Sequence, residues 1–233
     1  MKEKFNIPNI ITYLRVASVP IFIYLIISPN QNHRIIAFII FTIASLTDLI
    51  DGYIARKLNQ ETEFGKFLDP LADKFLVIGA LITFLFLTEQ VEIWMVLCII
   101  GRDILITMLR SLAIRKGTSL KTSMFGKVKT AFQMFSIIVI LLSFLAITYK
   151  QRNMINEIYI QKKEQGYHTF QIANDFFIQF INGQYQDLLF ILSSFVPYYL
   201  MLITTIITII SGLRYLISNY TLLLPPYKKG VKQ

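Results

Sequence analysis

Asp48-Leu-Ile-Asp51-Gly52-Tyr-Ile-Ala55-Arg56, followed after a short gap by Gly65-Lys-Phe-Leu-Asp69-Pro-Leu-Ala-Asp73, sets four carboxylates at the edges of two strongly apolar stretches. Asp48 and Asp51 are three residues apart, and Asp69 and Asp73 are four apart, so each pair shares one face of a helix. The connection between the stretches is short, so the two helix ends are neighbours and the four carboxylates are expected to converge. A single Asp at the centre of a membrane helix costs roughly 2.5–3.5 kcal/mol on the insertion scale, and four together also repel one another. Such a group needs a cation or a function.

The surroundings make the membrane setting explicit. Of 233 residues, 55% are hydrophobic and 16% charged, against about 45–50% and about 25% in a soluble domain. Several apolar runs reach the roughly 20 residues that a membrane helix requires. The pattern predicts an all-α integral membrane protein, a bundle of six spanning helices near 10–28, 34–56, 68–88, 93–115, 127–149 and 197–218. Asn6-Ile7-Pro8-Asn9 suits the start of the first helix, and Pro20 lies inside it. The whole chain, 1–233, reads as one membrane domain. Residues 150–187 form its one long connection, an extra-cytoplasmic insertion between the fifth and sixth helices with amphipathic helical stretches. The first run is too long for a signal-peptide core and lacks a small-residue cleavage site.

Loop charge orients the bundle. Lys2, Lys4, Arg56, Lys57, Lys66, Arg115, Lys116, Lys121, Lys127, Lys228, Lys229 and Lys232 fall on one side, which is therefore cytoplasmic, with both termini. Lys150, Arg152, Lys162 and Lys163 in the long connection run against that assignment, and the other loops carry it. The net charge of +9 accordingly reads as basic loops beside anionic lipid in the cell membrane rather than as nucleic-acid binding. Cys98 is the only cysteine, so no disulfide within the chain can form.

Carboxylates in this arrangement are hard oxygen donors suited to Mg²⁺ or Mn²⁺. His33, His168 and Cys98 are all remote in sequence, which disfavours zinc. Two ions in such a box can clamp a diphosphate and stabilise displacement at phosphorus. Gly52 and Gly65 let backbone approach a flat group such as a nucleotide, Ala55 keeps the same face low, and Arg56 can grip a phosphate oxygen. The competing readings are an acidic cluster paired with Lys and Arg for assembly, or the ion path of a cation channel or transporter. The lack of an internal repeat and of paired broken helices argues against a transporter.

The pattern Asp-x₂-Asp-Gly-x₂-Ala-Arg-x₈-Gly-x₃-Asp-x₃-Asp, complete here as Asp48, Asp51, Gly52, Ala55, Arg56, Gly65, Asp69 and Asp73, resembles the signature of the CDP-alcohol phosphotransferases. The resemblance implies six membrane helices, a homodimer and an active site open to the cytoplasm. It also implies that Asp48, Asp51, Asp69 and Asp73 hold two metal ions and that Asp73 is the general base. Gly52, Ala55, Arg56 and Gly65 would border the CDP part of a CDP-diacylglycerol donor.

Further stretches resemble the branch of that family whose acceptor is glycerol 3-phosphate. They are Asn6-Ile-Pro-Asn9-Ile-Ile-Thr12-Tyr-Leu-Arg15, Arg102-Asp103 with Leu109-Arg110, Gly126-Lys127-Val-Lys129-Thr130-Ala-Phe-Gln133, and Ser211-Gly212-Leu-Arg-Tyr215. Asp103 stands where that branch more often has Glu. Charge placement agrees: Arg15, the four Asp residues, Arg110, Lys127, Lys129 and Arg214 fall at one membrane depth. A phosphorylated acceptor is a dianion and needs cations beside the metals; Arg110, Lys127 and Lys129 are the candidates, with Arg102 deeper. The expected reaction transfers a phosphatidyl group from CDP-diacylglycerol to sn-glycerol 3-phosphate, releasing CMP, in phospholipid biosynthesis. The alternative within the family is a sibling acting on inositol phosphate, serine or phosphatidylglycerol.

Overall fold

The computed structural model describes the backbone of residues 7–58, 63–115 and 124–220; the side chains of 7–12, 48–58, 63–73, 112, 114 and 115 lie outside that description. Among the described residues the chain is helical, with no strand. In order come α1 (Ile7–Ile27), α2 (Gln31–Leu58), α3 (Glu63–Leu87), α4 (Ile93–Arg115), α5 (Met124–Ala146), α6 (Tyr149–Glu164), α7 (Thr169–Ile181) and α8 (Leu188–Ser218). The apolar runs expected from sequence correspond to α1–α5 and α8. One boundary needs correction: the last helix begins at Leu188, not at Pro197, which lies inside it.

Among the described residues, α5 and α8 are each long and apolar enough to cross a bilayer, and α1 and α3 contribute the shorter apolar stretches Tyr13–Ile27 and Lys74–Leu87. The helices also turn large apolar side chains outward, among them Leu14, Tyr24, Phe86, Leu97 and Ile217. An exterior of that kind suits lipid better than water.

α1 lies on α2 and α3. Phe22 and Phe41 pack their rings at a tilt of 45°, with centroids 5.5 Å apart. Gly79 lets α3 approach α1 closely, since a Cβ there would come within 2.8 Å of Val19 Cγ1; small residues serve this purpose in membrane bundles. α8 packs against α4, α5 and α7. Phe84 of α3 meets Phe144 of α5 edge-on at 5.8 Å, and Thr204 Oγ1 of α8 donates to Ser136 Oγ of α5 at 2.8 Å. One buried apolar cluster runs through all of these helices.

Residues 150–187 are built, not loose: they hold α6 and α7 between α5 and α8. Thr148 caps α6 through a reciprocal bond with Gln151. Asp187 caps α8 by accepting from Leu189 N at 2.9 Å and accepts from Gln151 Nε2 at 2.8 Å. Ile155, Tyr159, Ile172 and Phe176 join the core. Three contacts show which connections share this end of the bundle. Gln31 Nε2 donates to Leu145 O at 2.9 Å, Asn156 Nδ2 to Leu87 O at 3.0 Å, and Lys163 Nζ to Glu89 Oε2 at 2.9 Å. The α1–α2 and α3–α4 connections therefore lie with α6.

Candidate active site

The motif falls on the opposite ends of α2 and α3. Asp48, Asp51, Gly52, Ala55 and Arg56 occupy the last turns of α2, and Gly65, Asp69 and Asp73 the first three turns of α3. Only 59–62 separate the helices, and α2 and α3 touch. The side chains of all eight residues lie outside the described ones.

The next residue in the chain is described, and it opens a polar node inside the bundle. Lys74 of α3 reaches across to α4, where its Nζ donates to Asp103 O at 3.3 Å and to Thr107 Oγ1. Thr107 Oγ1 in turn donates to the same carbonyl at 2.7 Å. The Asp103 carboxylate accepts from Lys129 Nζ of α5 at 2.6 Å through each oxygen. It also pairs with Arg102 Nη1 at 3.1 Å. Arg102 Nη2 donates to Ser211 Oγ of α8 at 2.6 Å. Gly212 makes room for this arginine, since a Cβ would stand 3.1 Å from Arg102 Cγ. Four helices thus meet on Asp103.

A membrane interior explains the arrangement. Lys129 is only 2% exposed, and a buried ammonium without a counter-charge is costly, so its position requires the carboxylate. Arg102 and Asp103 are less deeply buried, with 16% and 21% of their side chains exposed. About one turn along the same helices from Lys129 and Ser211 come further buried side chains, Gln133 of α5 and Thr208 and Tyr215 of α8.

The remaining basic candidates sit nearer the helix ends. Arg110 is exposed on α4, about two turns beyond Asp103. Lys127 is exposed on the first turn of α5. Arg214 of α8 stacks over the Phe125 ring at 3.9 Å. Arg15 is buried on α1. Of the three cations assigned to an acceptor phosphate, Lys129 is therefore already held by Asp103, while Arg110 and Lys127 are exposed. Sequence reasoning noticed Asp103, Lys129 and Ser211 separately but not how they join, and it passed over Lys74 and Thr107. The available signal was charge within apolar runs.

Residues 5–160 match the CDP-alcohol phosphatidyltransferase family, well over half of the chain, and the chain belongs to that family. Among its relatives is the CDP-diacylglycerol–glycerol-3-phosphate 3-phosphatidyltransferase of Bacillus subtilis (strain 168), 43% identical over 150 residues that span 59% of this chain and 77% of that protein. The protein of the same name from Rickettsia bellii (strain RML369-C) is 39% identical over 142 residues, 61% of this chain and 78% of its own. That of Haemophilus influenzae is 40% identical over 139 residues, 58% of this chain and 74% of its own. The family match ends within α6, so α7 and α8 are outside it.

Proposed function

We propose that this chain transfers the phosphatidyl group of CDP-diacylglycerol to sn-glycerol 3-phosphate, giving phosphatidylglycerophosphate and CMP. The observation that carries this is the chain's membership of the family together with 39–43% identity to relatives bearing that activity in their names. The polar node supports a phosphorylated acceptor, since Lys74, the residue after Asp73, reaches the turn of α4 where Arg102 and Lys129 gather on Asp103.

The residues of the motif suit divalent ions. Two contacting helix ends carry four hard carboxylates in helical register, the donor set that Mg²⁺ or Mn²⁺ prefers. Asp48, Asp51, Asp69 and Asp73 would hold two ions. Those ions supply neutralisation of the diphosphate and of the charge that builds on it during displacement. Asp73 accepts the proton of the acceptor hydroxyl as that oxygen attacks the β-phosphorus of the donor. The bond from that phosphorus to the bridging oxygen breaks, and CMP leaves with its phosphate facing Arg56. Gly52, Ala55 and Gly65 border the cytidine diphosphate and leave it room. Arg110, Lys127 and Lys129 bind the acceptor phosphate.

The setting we infer is a cell membrane crossed six times, by α1–α5 and α8, as one domain with both termini and the active site on the cytoplasmic side. The α6–α7 segment lies on the outer face. The shared end of the α1–α2 connection, the α3–α4 connection and α6 supports that placement. The chain works as a homodimer in this reading. The test is direct. Asp73→Asn is expected to abolish CMP release while purified protein keeps its helical content and size, and chelation of divalent ions is expected to stop the wild type until Mg²⁺ or Mn²⁺ is returned. Near-normal turnover by Asp73→Asn sinks the assignment of the base, and turnover in excess chelator sinks the metal site.

A further inference from the structure

Asp103 is the one carboxylate of the described polar node, and cations outnumber it there. It holds Lys129 with both oxygens at 2.6 Å and Arg102 at 3.1 Å. Its backbone carbonyl receives Lys74 Nζ at 3.3 Å, which ties the same turn of α4 to the level of α3 that carries Asp73. The other terminal nitrogen of the Arg102 guanidinium donates to Ser211 Oγ at 2.6 Å, and its side chain lies over Gly212. Here one guanidinium and one ammonium group converge on a single carboxylate, an excess of one positive charge among these three described side chains, and Arg102 and Asp103 stay partly accessible. Surplus charge at a partly accessible node favours an anion, and a phosphate monoester is the anion that the proposed reaction brings.

We propose that Asp103 is a positioning residue for the acceptor: it orients Lys129 and Arg102 so that the phosphate of the incoming alcohol meets two pre-aimed cations. The inference rests on the proposed function. Asp103 touches neither the reacting phosphorus nor the hydroxyl; it acts through its two cations. Pre-aiming removes the rotamer freedom that a long basic side chain would otherwise lose on binding. Charge and reach both matter, so Asp103→Glu preserves the device and Asp103→Asn removes it.

The experiment measures CMP release by the purified full-length protein in lipid–detergent micelles with Mg²⁺, varying glycerol 3-phosphate and CDP-diacylglycerol separately. Asp103→Asn is expected to raise the acceptor KM about tenfold, the scale of one charge-assisted hydrogen bond, and to move the donor KM less than about twofold. Asp103→Glu is expected to recover most of the acceptor affinity. A loss shared equally by both substrates, no change in acceptor KM, or an Asp103→Glu protein as impaired as Asp103→Asn overturns the proposal. If Asp103→Asn does not fold, Lys129→Gln is compared with the neutral pair Lys129→Gln plus Asp103→Asn, which leaves no lone buried ammonium. The second substitution should then add little to the acceptor KM; a further rise as large as the first contradicts action through Lys129. A wild-type protein that releases no CMP with glycerol 3-phosphate removes the proposed function and this inference together, whereas an active wild type with an indifferent Asp103→Asn removes the inference alone.

Discussion

Arg34 begins α2, yet its guanidinium closes the far end of α5. It is buried, and Nη1 donates to Phe144 O at 2.8 Å and Ile147 O at 3.3 Å, while Nη2 reaches Gln31 Oε1. The last carbonyls of a helix have no intrahelical donor, and a cation there also meets the negative end of the helix dipole. Arg152 of α6 lies nearby over the rings of Tyr149 and Phe144, at 5.1 and 5.8 Å. Burial, and then the charge of Arg34, hold its guanidinium below the ordinary arginine range. Arg34→Ala is expected to cost about 2–3 kcal/mol by stranding buried carbonyls, with relief of the Arg34–Arg152 repulsion offsetting part of it. The thermal unfolding midpoint should fall while the KM for glycerol 3-phosphate stays put. A drop in acceptor affinity without a drop in the midpoint would contradict the structural role. None of this was legible in the sequence, where Arg34 is simply a charge near a loop. Its partners are backbone carbonyls 110 and 113 residues away, and backbone looks the same in every sequence.

At the scale of the helix, Pro197 marks both an error and a device. The apolar run read from sequence starts at Pro197, while α8 begins at Leu188. The helix runs through the proline because the group that Pro197 cannot serve is served from elsewhere. Proline has no N–H for the carbonyl four residues back, which is Ser193 O. Gln90 Nε2 donates to that oxygen at 2.9 Å, and Tyr159 OH donates to the next carbonyl, Ser194 O, at 2.7 Å. The α3–α4 connection and α6 thus repair α8, which is a tertiary event that local patterning cannot reveal. Amphipathic stretches in 150–187 were legible, and α6 and α7 are where they lead. Burial, then the neighbouring Tyr198, Tyr199 and Asp175, push the Tyr159 phenol above the ordinary value of 10.0. The folded pKa is raised, so its contribution is complete below the unfolded value and is lost as pH rises above about 10. Tyr159→Phe is expected to cost about 1 kcal/mol at neutral pH. It should also flatten the fall of the unfolding midpoint above about pH 10. An unchanged midpoint at neutral pH, with the alkaline fall intact, would show that Tyr159 does not carry it.

Across the whole molecule, the sequence is most explicit where chemistry conflicts with environment. Four Asp residues in helical register within apolar runs are the clearest case, and α2 and α3 carry them in their last and first turns. Arg102, Asp103 and Lys129 were visible as charges for the same reason, but their convergence depends on how α4, α5 and α8 pack. Apolar run length likewise yields helices, while the layering of α6 and α7 against α8 depends on contacts between distant segments. One reaction tests the proposed activity most directly. Purified protein is supplied with CDP-diacylglycerol, Mg²⁺ and, in parallel, glycerol 3-phosphate, inositol phosphate, serine and phosphatidylglycerol, and CMP is measured. Release with glycerol 3-phosphate and background levels with the others is the predicted result. Release only with another alcohol would contradict the acceptor assignment, and no release with any of them would contradict the activity itself.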